Sequence, residues 1–144
     1  MELLDRLVKF ATLRPRSEFE IKRWLIRKKI SEKDSSVALT ELKKAGLIDD
    51  AAFVRWWIDQ RTTFRPKSQR MLLVELVKKG VDKELAKQEL ASSGLPRDEE
   101  LARLVIEKRK RTLERFDLET RKKKIINLLA SRGFSWGVIK GILD

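Results

Sequence analysis

The run from Gly46 to Arg61 constrains the fold of this chain more than any other stretch, because one helix stops there and another starts. Gly46 has no Cβ and can take the left-handed conformation that closes a helix. Leu47 can pack back on the helix just finished. Asp49 or Asp50 can accept hydrogen bonds from the free N–H groups of the next helix. Phe53, Trp56, Trp57 and Gln60 or Arg61 follow at helical spacing. A weaker copy runs from Gly94 to Arg109, in which Asp50, Phe53, Trp56 and Trp57 fall on Asp98, Leu101, Leu104 and Val105.

The copy belongs to a longer pattern. Leu3, Leu4, Leu7, Val8 and Ala11 mark a leading amphipathic helix that ends near Arg14-Pro15, since the residue before a proline disfavours the helical region. Ser17 with Glu20 makes a capping box for a helix carrying Ile21, Trp24 and Leu25, which stops near Lys29. Ile30-Ser31 opens the next helix, with Ala38, Leu39, Leu42 and Ala45 as its buried stripe. In register with these, Ser17, Ile21, Leu25 and Lys29 fall on Ser68, Leu72, Leu76 and Gly80, and Ile30-Ser31 falls on Val81-Asp82. A third copy places Ile125, Leu129, Gly133, Phe134 and Ser135 on Leu72, Leu76, Gly80, Val81 and Asp82. The repeat is about 50 residues of helix triplet. It frames the chain as a leading helix (1–16), two three-helix repeats (17–64 and 65–115) and a two-helix partial repeat (116–144). One such unit cannot bury its apolar face alone, so the repeats are expected to stack into an elongated, curved all-α array.

Composition agrees with an all-α class. Charged residues make up 39% of the chain, a level common in helical repeats. Only 3 prolines and 6 glycines are present, too few for many hairpins. With no Cys and no His, the chain has no disulfide framework, thiol nucleophile or His-based triad, and no zinc site of the usual kinds. No enzymatic site, metal or cofactor is expected. Nothing at the N-terminus reads as a signal peptide, and no apolar run approaches the roughly 18 residues that span a bilayer. The cytosol is therefore the expected compartment, with no membrane partner and a monomeric state. The formal charge of +12 points to an anionic partner.

Arg14-Pro-Arg-Ser-x-x-Glu-Ile21, Gly46-Leu-Ile-Asp-Asp-x-x-Phe-Val54 and Lys79-Gly-Val-Asp82 resemble the RecX family of bacterial regulatory proteins, from about residue 7 to the end. The resemblance implies tandem three-helix units and a non-enzymatic modulator, usually an inhibitor, of the RecA recombinase. It also implies lodging in the groove of the RecA–DNA filament. The chain departs from the family pattern at Lys29, where Gly is usual, so the helix end must bend with a side chain in place, at a cost of about 1 kcal/mol. Val54 stands where Ala is usual, and the third repeat lacks its last helix.

The positive charge is clustered. Arg61, Arg65, Lys67 and Arg70 follow the first repeat with no acid among them. Lys108, Arg109, Lys110, Arg111, Arg115, Arg121, Lys122, Lys123 and Lys124 flank the equivalent linker after the second. Basic residues at equivalent linkers would form a stripe for filament or nucleic-acid contact, with DNA bound through phosphate and without sequence preference. The alternative for each run is a solvated helix face. Trp24, Phe53, Trp56 and Trp57 could stack on bases, but their spacing reads as core, with one of the adjacent tryptophans facing away from it. Asp49-Asp50 reads as a helix cap rather than a metal pair. The corners at Val81-Asp82 and Phe134-Ser135 also resemble helix-turn-helix turns, which keeps a duplex DNA-binding module as the second reading. Against it, the helix after each corner is not the basic one.

Overall fold

The computed structural model describes residues 2–144. Among them are ten helices: α1 (Leu3–Leu13), α2 (Glu18–Arg27), α3 (Glu32–Lys44), α4 (Asp50–Phe64), α5 (Gln69–Lys78), α6 (Lys83–Ser92), α7 (Asp98–Lys108), α8 (Lys110–Leu113), α9 (Leu118–Ser131) and α10 (Trp136–Leu143). They form two compact units, Met1–Trp57 with Glu75–Glu89 and Ile58–Val74 with Leu90–Asp144. The division runs through α4, α5 and α6 rather than along the repeat boundaries read from the sequence.

In the first unit, Leu7 and Ala11 of α1 meet Ile21, Trp24 and Leu25 of α2 and Ala38 and Leu42 of α3. Each fully buried large side chain contributes about 1.5–3 kcal/mol. Phe10 stacks on Trp24 with 5.6 Å between ring centroids. Phe53 and Trp57 are buried, whereas Trp56 is half-buried with its ring edge-on to Trp57, so Trp56 is the one that turns from the core. In the second unit, Leu101, Ala102 and Val105 of α7 pack with Leu129 of α9, then Phe134 and Ile139 at and within α10.

The corners repeat atom for atom. At the end of α2, α5 and α9, Lys29, Gly80 and Gly133 take φ of 58°, 82° and 85°. Their N–H groups donate to Ile26, Val77 and Ala130 carbonyls. The next N–H groups, of Ile30, Val81 and Phe134, donate to Leu25, Leu76 and Leu129, each at 3.1 Å. These paired bonds satisfy the last helical carbonyls. Ser31, Asp82 and Ser135 then accept the N–H three residues on, starting α3, α6 and α10. Lys29 is the only described non-glycine with positive φ, and it is exposed.

The helix that follows Gly94 is interrupted. It breaks at Arg109 (φ −109°, ψ 8°) and resumes as α8, which buries Leu113. Arg121 of α9 then donates to the carbonyls of Leu113 and Phe116 at 3.1 and 3.0 Å, holding the turn that follows.

Candidate anion-binding site

Each unit contains a joint built from the same repeat positions. In the first, Ser17 caps α2 with a capping box and is fully buried, its Oγ also donating to the Lys79 carbonyl at 2.7 Å. The Glu18 N–H, first in α2, donates to Asp50 Oδ1 at 2.9 Å. In the second, the Ser68 N–H donates to the Arg132 carbonyl at 3.0 Å, and the Gln69 N–H donates to Asp98 Oδ1 at 3.0 Å. Asp49 caps its own helix through the Ala52 N–H, so the two adjacent aspartates serve different helices. Both corner glycines are packed tight. A Cβ on Gly80 would lie 2.2 Å from Phe19 Cβ, and one on Gly133 would lie 2.8 Å from Met71 Cβ.

The two joints differ in how their cations are matched. In the first unit Glu20 pairs with Arg14 and, at 4.0 Å, with Lys79. The Arg14 guanidinium lies 5.1 Å from the Trp56 ring centre and the Lys79 ammonium 5.3 Å from that of Trp57. In the second unit the corresponding positions hold Arg65 and Arg132 as cations, with Met71 for Glu20, Leu104 for Trp56 and Val105 for Trp57. The acid is gone and the rings are replaced by smaller side chains. What remains is a cavity of about 190 Å³ lined by Phe64, Arg65, Val105, Lys108, Arg109 and Arg132.

Arg132 is the anchor of that cavity. It is only 6% exposed and donates through its guanidinium to the Pro66 carbonyl at 3.1 Å. Burial first, then the charges of Arg65 and Arg109, push it below the ordinary arginine value. It still carries its charge at neutral pH. Four cations around one cavity with no acid in its lining is an arrangement that attracts an oxyanion, since guanidinium forks present several donors at once.

Every candidate contact residue read from the sequence lies in the second unit. Arg65, Lys108 and Arg109 come together at the cavity. Arg70 instead donates to the Gly133 carbonyl at 3.3 Å, and Arg121 is engaged with carbonyls of the α8–α9 turn. The Lys124 ammonium sits 4.4 Å from the Phe116 ring centre. Arg61 and Lys67 are half-buried; Lys110, Arg111, Arg115, Lys122 and Lys123 are exposed, and none of these seven lines the cavity. Sequence reasoning missed Arg132, although its signal was available: it occupies the repeat position of Lys79. It also missed a basic cavity of about 290 Å³ in the first unit, where Arg16, Arg23, Arg27, Lys78 and Lys79 surround Glu20 with Phe10 and Phe19. Burial, followed by the charge of Arg14, lowers the Arg16 value there.

Among the described residues no group of three or more His, Cys, Asp or Glu could hold a metal ion, and no helix is long and apolar enough to cross a membrane. α10, which follows one helix-turn-helix-like corner, carries Lys140 as its one cation.

Residues 49–90 match the family model described as RecX, second three-helix domain, and residues 97–143 match RecX, third three-helix domain. These frames begin at α4 and α7, whereas the frame read from the sequence begins at α2 and α5; the period is shared and the phase differs by one helix. The chain is 33% identical to Regulatory protein RecX of Amycolatopsis mediterranei (strain U-32), over 88% of this chain and 72% of that one. It is 33% identical to the Mycobacterium avium (strain 104) protein of the same name, over 89% and 75%. For the Chlorobium limicola protein the identity is 32%, over 92% and 82%. In fold it is similar to the crystal structure of RecX from Lactobacillus salivarius, at a TM-score of 0.73 and 21% identity over 97% of this chain and 91% of that one. A second RecX crystal structure gives 0.74 at 22% identity, over 96% and 70%.

Proposed function

The chain belongs to the RecX family of regulatory proteins, and from that premise we propose that it binds the RecA–DNA filament through the basic face of its second unit and restrains the recombinase. The observation that carries this reading is the convergence of Arg65, Lys108, Arg109 and Arg132 on one cavity without an acid in its lining. A nucleoprotein filament offers a continuous run of phosphates, and a cluster of this kind meets it with affinity but without base readout. The protein is a non-catalytic regulator on this reading, with no cofactor, and acts as a monomer in the cytoplasm on DNA repair and recombination and on the SOS response. Lys122, Lys123 and Lys124 extend the same charge along α9 and add affinity rather than specificity.

The test is to follow ATP hydrolysis by RecA on single-stranded DNA while the protein is titrated in. Inhibition at amounts well below those of RecA supports the reading. No effect on hydrolysis, together with tight binding to one duplex sequence, would move the assignment to a sequence-specific DNA-binding module.

A further inference from the structure

We propose that the second unit holds a site for one nucleotide of single-stranded nucleic acid, with the phosphate among Arg65, Lys108, Arg109 and Arg132 and the base on the ring of Phe64. The proposal deepens the filament reading and rests on it for its biological role, but the binding it describes needs no recombinase.

Three observations carry it. First, the cavity is a repeat joint from which the internal counter-charge has been removed. In the first unit Glu20 neutralises Arg14 and Lys79, and two tryptophan rings cover them. In the second, Met71 stands where Glu20 does, beside Gly133, and Val105 stands where Trp57 does, lining the open space. The same scaffold therefore supplies its own anion in one copy and none among the cavity-lining residues of the other.

Second, Arg132 is buried and held by the Pro66 carbonyl, so it is fixed before any ligand arrives. A phosphodiester, with oxygens exposed on a tetrahedral centre, accepts from several such forks together. A carboxylate also has two anionic oxygens, but they lie in one plane, whereas those of a phosphodiester splay from a tetrahedral centre towards donors on different elements.

Third, Phe64 ends α4 at the rim of this cavity and is 72% exposed. An exposed ring next to a basic pocket is the pairing that single-strand readers use, since every base has a face that stacks. In a duplex the bases stack on one another and cannot lie on the ring, which is why the occupant is a single strand.

The experiment measures anisotropy of a labelled oligo-dT and of a duplex of equal length, at low salt, with the full chain and no recombinase. Phe64→Ala should weaken oligo-dT binding about tenfold and leave the duplex within about twofold. Met71→Glu, which restores the acid of the first joint, should weaken oligo-dT at least as much, while the uncharged Met71→Gln should bind like the parent. Thermal unfolding of each variant is measured alongside. If Phe64→Ala changes neither ligand, or both alike, or if Met71→Gln loses as much as Met71→Glu, the site is wrong. Loss of the site in this assay with recombinase inhibition intact would leave the filament reading standing.

Discussion

Asp50 caps a helix to which it does not belong: its Oδ1 accepts the backbone N–H of Glu18, the first residue of α2, at 2.9 Å. Asp98 does the same for Gln69 at the start of α5. These bonds satisfy helix-start donors that the intrahelical ladder cannot reach, and they tie two elements of one unit together.

Asp50→Ala and Asp98→Ala are each expected to lower stability by about 1 kcal/mol, as for other helix-start acceptors, with Asn in either place losing less because its oxygen still accepts. Urea unfolding of the variants, read by circular dichroism, checks both.

Asp50 also has a pH signature. Burial, against the opposing Glu18 hydrogen bond, holds its carboxyl above the ordinary aspartate value. A raised folded value means the folded state binds the proton more readily than the unfolded chain. The contribution is fully present below the ordinary value and is lost as pH rises through the raised one. Asp50→Asn removes this dependence, so the stability gap between it and the parent should shift in its favour as pH rises through that window. A gap that is constant across the window contradicts the assignment.

The corner residues separate two effects of a side chain. Lys29, Gly80 and Gly133 share a left-handed backbone, but only the glycines face a neighbour closer than a Cβ tolerates. Lys29→Gly should stabilise by about 0.5–1 kcal/mol by relieving the left-handed strain. Gly80→Ala and Gly133→Ala should each cost more than that strain alone, because Phe19 or Met71 must move. Midpoints of urea unfolding rank the three.

These corners were the most legible part of the chain. Stop, apolar residue and cap are local signals, and the residues at Gly80-Val81-Asp82 and Gly133-Phe134-Ser135 form them as read. The all-α class and the repeat followed from them. Asp50 was legible as a cap but not as the cap of α2, since that partner lies 32 residues away in sequence. The break at Arg109 was not visible because nothing there is a helix breaker; Lys108 to Arg111 are all good helix formers, and the short α8 beyond the break buries Leu113. The basic run Lys122–Lys124 stands out in the sequence, whereas the cavity assembles from cations on different elements. Arg132 sits in no run, and its place became visible only through its repeat partner Lys79.

Binding to nucleic acid is expected to fall steeply with salt, the slope shrinking by about one for each phosphate-contacting cation removed. Arg65→Ala and Arg109→Ala should each show this reduction on every sequence tested. Lys122, Lys123 and Lys124→Ala together should fold normally and weaken binding without changing any preference for single strands. Anisotropy at several salt concentrations supplies the slopes.

If the acid-free cluster of the second unit carries the restraint on the recombinase, removing its cations relieves that restraint. The direct measurement is a titration of RecA ATP hydrolysis on single-stranded DNA with the parent protein and with the Arg65→Ala, Arg109→Ala double variant, both shown to unfold at the same temperature. The parent is expected to inhibit at amounts well below those of RecA and the variant to need about tenfold more, a loss of about 1.4 kcal/mol. Superimposable inhibition curves for the two proteins would contradict it.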